Sequence, residues 1–312
     1  MENEKGSDVM TTKAGYVTIL GAPNAGKSTL MNALLGEKIS IITSKPQTTR
    51  KRVLGILSGE NYQIIFLDTP GILEPKYKLQ EKMMEYVNIS LQDADIIVWL
   101  HDAQAPPHSE EDSAIGQILK LVKKQNVPKI ACVNKIDIDE QKTITSIEYF
   151  EETKKFDKVI PISALAKVNL DIIKEFFIEN LPEHPKYYPE DDLSDENERF
   201  FVSEIIRETI LELYEKEVPY SCEVVIDDFK EREGRKDFIA AMIYVERDSQ
   251  IGIIIGKRGS MIKILGEKAR TAIESFLGRE VYLDIRVKVR PNWRSDDRLL
   301  RHFGYSHDEV DQ

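Results

Sequence analysis

Eight residues near the start of the chain, Gly21-Ala22-Pro23-Asn24-Ala25-Gly26-Lys27-Ser28, have the types and spacing to hold a chain of phosphates. Glycines let backbone N–H groups converge on anionic oxygens with no Cβ in the way. The segment follows a short apolar run at 16–20 and opens a helical pattern at 27–35, so a helix N-terminus adds its dipole. Lys27 can neutralise β- and γ-phosphate charge, and the Ser28 hydroxyl can ligate Mg²⁺. The pattern is G-x-x-x-x-G-K-[ST] in the strand–loop–helix context it requires, and Gly21 through Thr29 are expected to line a nucleotide.

Further along, Asp68-Thr69-Pro70-Gly71 closes another apolar run. Asp68 is placed to hold Mg²⁺, and the Gly71 N–H to meet a γ-phosphate, so that the following segment senses its presence. Asn134-Lys135-Ile136-Asp137 reads the base. An aspartate carboxylate accepts from guanine N1–H and N2 together, whereas adenine offers neither donor. The Lys135 stem can lie along the purine, and Asn134 can tie this loop to the phosphate loop. Ser163-Ala164 comes fifth in order, with the Ala164 N–H aimed at guanine O6. Between the phosphate loop and Asp68, the run Lys45-Pro46-Gln47-Thr48-Thr49-Arg50 offers a threonine to the metal and the γ-phosphate: Thr49, with Thr48 as the alternative. Ser28, Thr49 and Asp68 make the expected Mg²⁺ set.

These residues need strands that end where they begin. Apolar runs at 16–20, 53–57, 63–67, 95–100, 129–133 and 159–162 alternate with helical patterns at 27–35, 79–91, 109–124, 145–154 and 170–180. Ser109 is the expected cap of the third helix. That alternation predicts a mostly parallel sheet with helices on both faces, plus an antiparallel edge hairpin near Val53. The expected organisation is a disordered segment 1–14, a GTP-binding domain 15–181, an acidic proline-containing linker 182–198, a smaller α+β domain 199–305 and an acidic tail 306–312.

The smaller domain carries Ile251-Gly252-Ile253-Ile254-Ile255-Gly256-Lys257-Arg258-Gly259, which resembles the KH signature with its G-x-x-G loop between two helices. Such a loop clamps a few nucleotides of single-stranded RNA. Lys257 and Arg258 would meet phosphates, Ile253 and Ile255 would lie under bases, and Lys263, Lys268 and Arg270 would make the next helix basic. The helix–strand–strand–helix–helix–strand order resembles the type II KH arrangement. Charge follows the same division. The whole chain is at −11, yet residues 250–305 carry twelve Lys+Arg against six Asp+Glu, while 183–198 carry seven acids and one Lys.

Taken together, G-x-P-N-x-G-K-S, P-Q-T-T-R, D-T-P-G, N-K-x-D, S-A, the KH signature and the ending Val289-Arg290-Pro291-Asn292-Trp293 resemble the Era family of bacterial GTPases from Tyr16 to Tyr305. The resemblance implies slow, Mg²⁺-dependent GTP hydrolysis. It also implies a partner in the small (30S) ribosomal subunit, at the 3′ region of its RNA, during subunit assembly. Asn24 resembles the asparagine that helps bind K⁺ in related GTPases. Ile72, where Ras-like enzymes carry glutamine, cannot orient water and is not assigned to catalysis. The catalytic set is then Lys27, Thr49, Gly71 and Asn24 with its cation.

No apolar stretch is long enough for a membrane span and no secretory signal opens the chain, so a cytoplasmic monomer is expected. Cys132 and Cys222, each in an apolar run, read as reduced core residues. Two other readings stand beside the main one: an RNA-binding protein for which nucleotide is only structural, and a peripheral membrane contact through Arg294, Arg298 and Arg301.

Overall fold

The computed structural model describes residues 12–107 and 113–305. They form two compact units that interleave along the chain. One takes the chain up to Ile39, Arg52–Thr69 and Asn88–Asp195; the other takes Ser40–Lys51, Pro70–Val87 and the chain from Glu196. The contiguous division expected from sequence is therefore corrected: two segments from within 15–181 pack with the C-terminal elements, because their side chains find their partners there.

The first unit holds strands β1 (Lys13–Gly21), β2 (Val53–Ser58), β3 (Tyr62–Asp68), β4 (Ile96–Asp102), β5 (Lys129–Asn134) and β6 (Lys158–Pro161), in the spatial order β2-β3-β1-β4-β5-β6. All neighbours are parallel except β2 with β3. Central strands buried on both faces must be apolar at every position, which is why β4 opens Ile96-Ile97-Val98-Trp99-Leu100. Helices α1 (Lys27–Leu35), α3 (Ala114–Lys124), α4 (Glu140–Thr153) and α5 (Leu170–Asn180) alternate with the strands, and α2 (Lys78–Gln92) lies between β3 and β4 in sequence, with 78–87 in the second unit and 88–92 in the first. The N-terminal segment expected outside the fold ends earlier than residue 14. Lys13 and Ala14 pair with Tyr62 and Gln63, and Ala14 is fully buried. Residues 1–11 and the tail 306–312 lie outside the described residues, as does Ser109. The cap of α3 is Ser113, whose hydroxyl accepts from the Gly116 N–H. Helix α4 starts earlier than its apolar pattern suggests because Asp139 caps it, accepting from the Lys142 N–H.

The acidic run 182–198 is not a free connector. The Ile56 N–H donates to the Leu193 carbonyl at 2.9 Å and the Ser194 hydroxyl to the Leu54 carbonyl at 2.7 Å. Buried Gln63 accepts from the Tyr187 N–H at 2.7 Å. Strand β2 is a sheet edge, and the strap supplies partners for backbone groups that an edge leaves open.

The second unit contains α6 (Glu198–Leu213), β7 (Glu223–Lys230), β8 (Asp237–Val245), α7 (Asp248–Ile255), α8 (Ser260–Leu277), β9 (Val281–Val289) and α9 (Asp297–His302). Strands β7 and β8 are antiparallel, β8 and β9 parallel. This is the type II KH order. Ile206, Ile210, Ile239, Ile243, Leu265 and Ile273 close the core between helices and sheet. Trp293, Leu300, Phe303 and Tyr305 form a second cluster with Tyr244 and with Leu79 and Met83 of α2. Both cysteines are buried and unpaired by disulfide, and burial pushes their thiols up, so they stay protonated. Among the described residues no helix is long and apolar enough to cross a membrane, and no group of three or more His, Cys, Asp or Glu could hold a metal ion.

Candidate nucleotide and RNA sites

The phosphate loop leaves the C-terminal end of β1, where a ligand over a parallel sheet belongs. Its glycines are required by contact. A Cβ on Gly21 would meet the Leu100 carbonyl oxygen at 2.3 Å, and one on Gly26, at φ 101°, would meet Asn134 Nδ2 at 2.4 Å. That second approach lets Asn134 do its work. Its Nδ2 donates to the Ala25 carbonyl at 2.8 Å and its Oδ1 accepts from the Ala164 N–H at 2.9 Å. One buried amide thus fixes the phosphate loop, the Asn134–Asp137 loop and the Ser163–Ala164 loop to one another. Lys135, at φ 66°, donates through Nζ to the Asn24 carbonyl at 2.9 Å and to Asp102 Oδ2 at 2.6 Å. Motif reading does not single out Asp102; its signal is an acid at the C-terminal end of a buried parallel strand, where it pairs with Lys135. Asp137 is exposed, and so are its neighbour Ile138 and, beyond Ala164, Leu165, at 61% and 82%.

Ser28 donates to Asp68 Oδ2 at 2.7 Å, and Asp68 is fully buried at the end of β3. A hydroxyl beside a carboxylate is a donor pair for a small, hard cation that keeps several waters and takes phosphate oxygens, so these residues fit Mg²⁺. Lys27 is 6% exposed and donates to the Ala22 and Gly21 carbonyls at 2.9 and 3.2 Å. Burial pulls its pKa down to about 8, with Asp68 opposing only in part. Phosphate anions reverse that shift by stabilising the charged amine. Free protein therefore loses the Lys27 proton above about pH 8 while the complex keeps it, so nucleotide binding takes up a proton there and affinity falls as pH rises. Calorimetry at pH 8.5 in buffers of different ionisation enthalpy should show uptake of most of one proton per GTP. The same uptake by a Lys27→Arg variant that still binds would overturn this.

Thr48, Thr49 and Gly71 fall in the segments of the second unit, whereas Ser28 and Asp68 belong to the first. The Thr48 hydroxyl lies 2.7 Å from both the Thr43 hydroxyl and the Lys45 carbonyl, and Arg207 donates to its carbonyl. Ile42 N–H donates to Glu208 at 3.0 Å, and Lys45 Nζ reaches the Tyr214 carbonyl. Arg50, 2% exposed, donates to Glu223 at 2.9 Å and to the carbonyls of Cys222, Tyr220 and Pro219 at 2.7, 3.2 and 3.3 Å. Ile72 is buried.

In the C-terminal unit the G-x-x-G turn joins α7 to α8. Gly256 and Gly259 have φ 74° and 77°, and a Cβ on Gly256 would strike Met261 at under 3 Å. Lys257 and Arg258 are exposed. A cleft of about 540 Å³ runs between α8 and β9; Lys263 and Arg270 line it, with Ile262, Gly266, Leu283 and Ile285. Of the residues expected under the bases, Ile253 is 48% exposed and lies on α7 with Ile255, outside that lining; Lys268 is exposed and likewise outside it. Sequence reading expected nearby strands beneath the bases together with Ile253 to Ile255, and of the strands it is β9 that lines this cleft, through Val281, Tyr282, Leu283 and Ile285.

Comparison with known proteins finds a family match in each part of the chain. The family described as 50S ribosome-binding GTPase matches residues 16–135, and the KH domain family matches residues 217–294. The chain is 44% identical over 303 residues to the GTPase Era of Thermoanaerobacter sp. strain X514, covering 96% of this chain and 99% of that one. It is also 44% identical over 298 residues to the chloroplastic GTPase ERA1 of Zea mays, covering 94% and 70%. Among solved structures it resembles Aquifex aeolicus Era bound to GDP and AlF4⁻, at 40% identity and a TM-score of 0.89 over 95% of this chain and 100% of that one. It also resembles Era in complex with MgGDPNP and nucleotides 1506–1542 of 16S ribosomal RNA, at 40% and 0.88 over 95% and 99%.

Proposed function

Because the chain belongs to the Era family of GTPases, we propose that its GTP cycle gates the binding of small-subunit ribosomal RNA by the KH domain during subunit assembly. It is a GTPase with an RNA-binding KH domain. The observation that carries the gating is the membership of the second unit. The segment that must reach γ-phosphate and metal, 40–51, is held by α6 and the start of β7 through Glu208, Arg207, Tyr214 and Glu223. If Thr49 engages Mg²⁺ and Gly71 meets the γ-phosphate, bonds of that set are given up. By linkage, RNA then alters nucleotide affinity by the same factor. Asn24 remains the candidate K⁺ ligand, where a cation would neutralise transition-state charge in place of an arginine finger. The 3′ region of 16S RNA is the proposed target because the related complex holds nucleotides 1506–1542. The protein is proposed to work as a cytoplasmic monomer. A membrane-surface role ranks lower: Arg294 of the basic stretch is taken by Glu246 and lies 4.7 Å from the centre of the Tyr77 ring.

Single-turnover GTP hydrolysis, with and without that RNA and in potassium against sodium, tests this reading. Acceleration by RNA and by potassium is expected; equal rates throughout would favour nucleotide as a structural element only. Gly256→Asp with Gly259→Asp puts two carboxylates where phosphates must approach. RNA affinity should fall at least a hundredfold in a filter assay, while GTP affinity stays within twofold.

A further inference from the structure

The G-x-x-G clamp and the cleft beside it account for a few nucleotides, yet the cleft does not end on a blank surface. At the end away from the glycine loop it is lined by Lys236, Arg270 and Tyr282. Tyr282 is 58% exposed, the most exposed large hydrophobic side chain among the described residues of the C-terminal unit. It sits on β9, and β9 is the last strand of the three-stranded sheet. Its register partner on β8 is Phe238, whose own partner on β7 is Lys230. Directly opposed residues project from the same face of a sheet, so Lys230, Phe238 and Tyr282 form one row across it. The Phe238 and Tyr282 rings are stacked, with centroids 5.9 Å apart and planes 13° from parallel. The Arg232 guanidinium covers the Phe238 ring at 5.0 Å.

A cross-strand aromatic pair has a plain structural use when it shields both rings. Here the shielding is one-sided. Tyr282 meets Phe238 across the strands, and among the described residues no further strand lies beyond β9 to cover it. An aromatic face open to solvent, beside Lys236, Arg270, Lys230 and Arg232, combines the two components by which single strands are held without sequence preference: a stacking surface and cations that follow the backbone. Resting on the reading of the cleft as the RNA site, we propose that Tyr282 is a stacking platform for the nucleotide that leaves the cleft at its far end. The platform carries the strand over the edge of β9 onto the aromatic row with Phe238. The occupant is single-stranded RNA because the surface is continuous with the cleft, where Lys236, Lys263 and Arg270 stand with the single acid Glu267 among the lining side chains. Acids accompany these cations: Asp228 pairs with Lys230, Glu280 with Lys236 at 3.1 Å, Glu267 with Lys263 at 3.9 Å and Asp284 with Arg286.

The test is anisotropy titration of the full chain, loaded with a GTP analogue, against labelled 16S RNA spanning nucleotides 1506–1542, for Tyr282→Ala, Tyr282→Phe and Tyr282→Trp. Tyr282→Ala should weaken binding roughly five- to a hundredfold, the loss of one stacked base. Phe and Trp should restore it, since each keeps a π-face. The slope of log affinity against log salt should stay as in the parent chain, because a ring releases no counterions. Wild-type affinity in Tyr282→Ala, or a Phe variant as weak as the Ala variant, overturns the platform. The doubly substituted glycine-loop variant separates the two levels. If it binds this RNA at parental strength the cleft reading itself fails, and the platform with it. If it loses binding while Tyr282→Ala does not, only the platform fails.

Discussion

Asp137→Asn should turn a guanine site into a xanthine site. GTP affinity should fall by roughly 10²–10⁴-fold, because two charge-assisted hydrogen bonds worth about 1.5–3 kcal/mol each are lost or inverted. The native carboxylate only accepts, and guanine offers it N1–H and the 2-amino group. Asparagine accepts through Oδ1 but donates through Nδ2, and that donor meets the amino group of guanine head-on. Xanthine carries a carbonyl at the same position, so the pairing is restored with its polarity reversed. The loop should survive the exchange, since Asp137 is exposed and the loop is fixed by Asn134 rather than by Asp137. Competition between GTP and XTP, followed by displacement of a fluorescent guanine nucleotide, measures the switch. Unchanged GTP affinity would mean that another group reads the base.

Why the nucleotide motifs were legible and the cleft beside the G-x-x-G loop was not follows from where their atoms come from. Each nucleotide motif is a loop of fixed length at the C-terminal end of one strand, so its spacing is local. Gly26 must be glycine because Asn134 comes within 2.4 Å of where its Cβ would stand, and both members of that contact announce themselves in motifs. The parallel sheet was legible for a similar reason, as strands buried on both faces are apolar throughout. The cleft beside the G-x-x-G loop is different. Its walls are α8 and β9, and neither Gly266 nor Ile285 belongs to any short pattern. Gly266 lies inside a helix, where glycine costs about 1 kcal/mol against alanine, and that cost is a readable signal only once the helix face is known to border a cleft. The interleaving of the two units was the least legible feature. Nothing in Lys45-Pro46-Gln47-Thr48-Thr49-Arg50 says that the arginine is buried against residues 219–223, far along the chain.

That arginine carries the other large expected effect. Arg50 stands one residue after the threonine proposed for the metal, and it is 2% exposed. Its guanidinium is also 5.8 Å from the centre of the Trp293 ring, and Glu223, its partner, accepts from the Tyr305 hydroxyl at 2.9 Å. Arg50→Met keeps much of the side-chain volume but leaves the Glu223 carboxylate buried without its cation, a loss of about 3–5 kcal/mol. In a Trp99→Phe background Trp293 is the remaining tryptophan, so its fluorescence during urea unfolding reports the C-terminal unit directly. The unfolding midpoint should drop sharply in Arg50→Met and recover in large part when Glu223→Gln removes the stranded charge. Function should not recover with it. The bonds from Arg50 to 219–223 tie the segment proposed to sense the γ-phosphate to the start of β7, and neither variant restores them. The ratio of RNA affinities in the GTP-analogue and GDP states should therefore move toward one in both the single and the double variant. A stable double variant that still discriminates between the two nucleotide states would show that the signal reaches the KH domain by another route, with Lys45, Arg207 and Glu208 the next contacts to test.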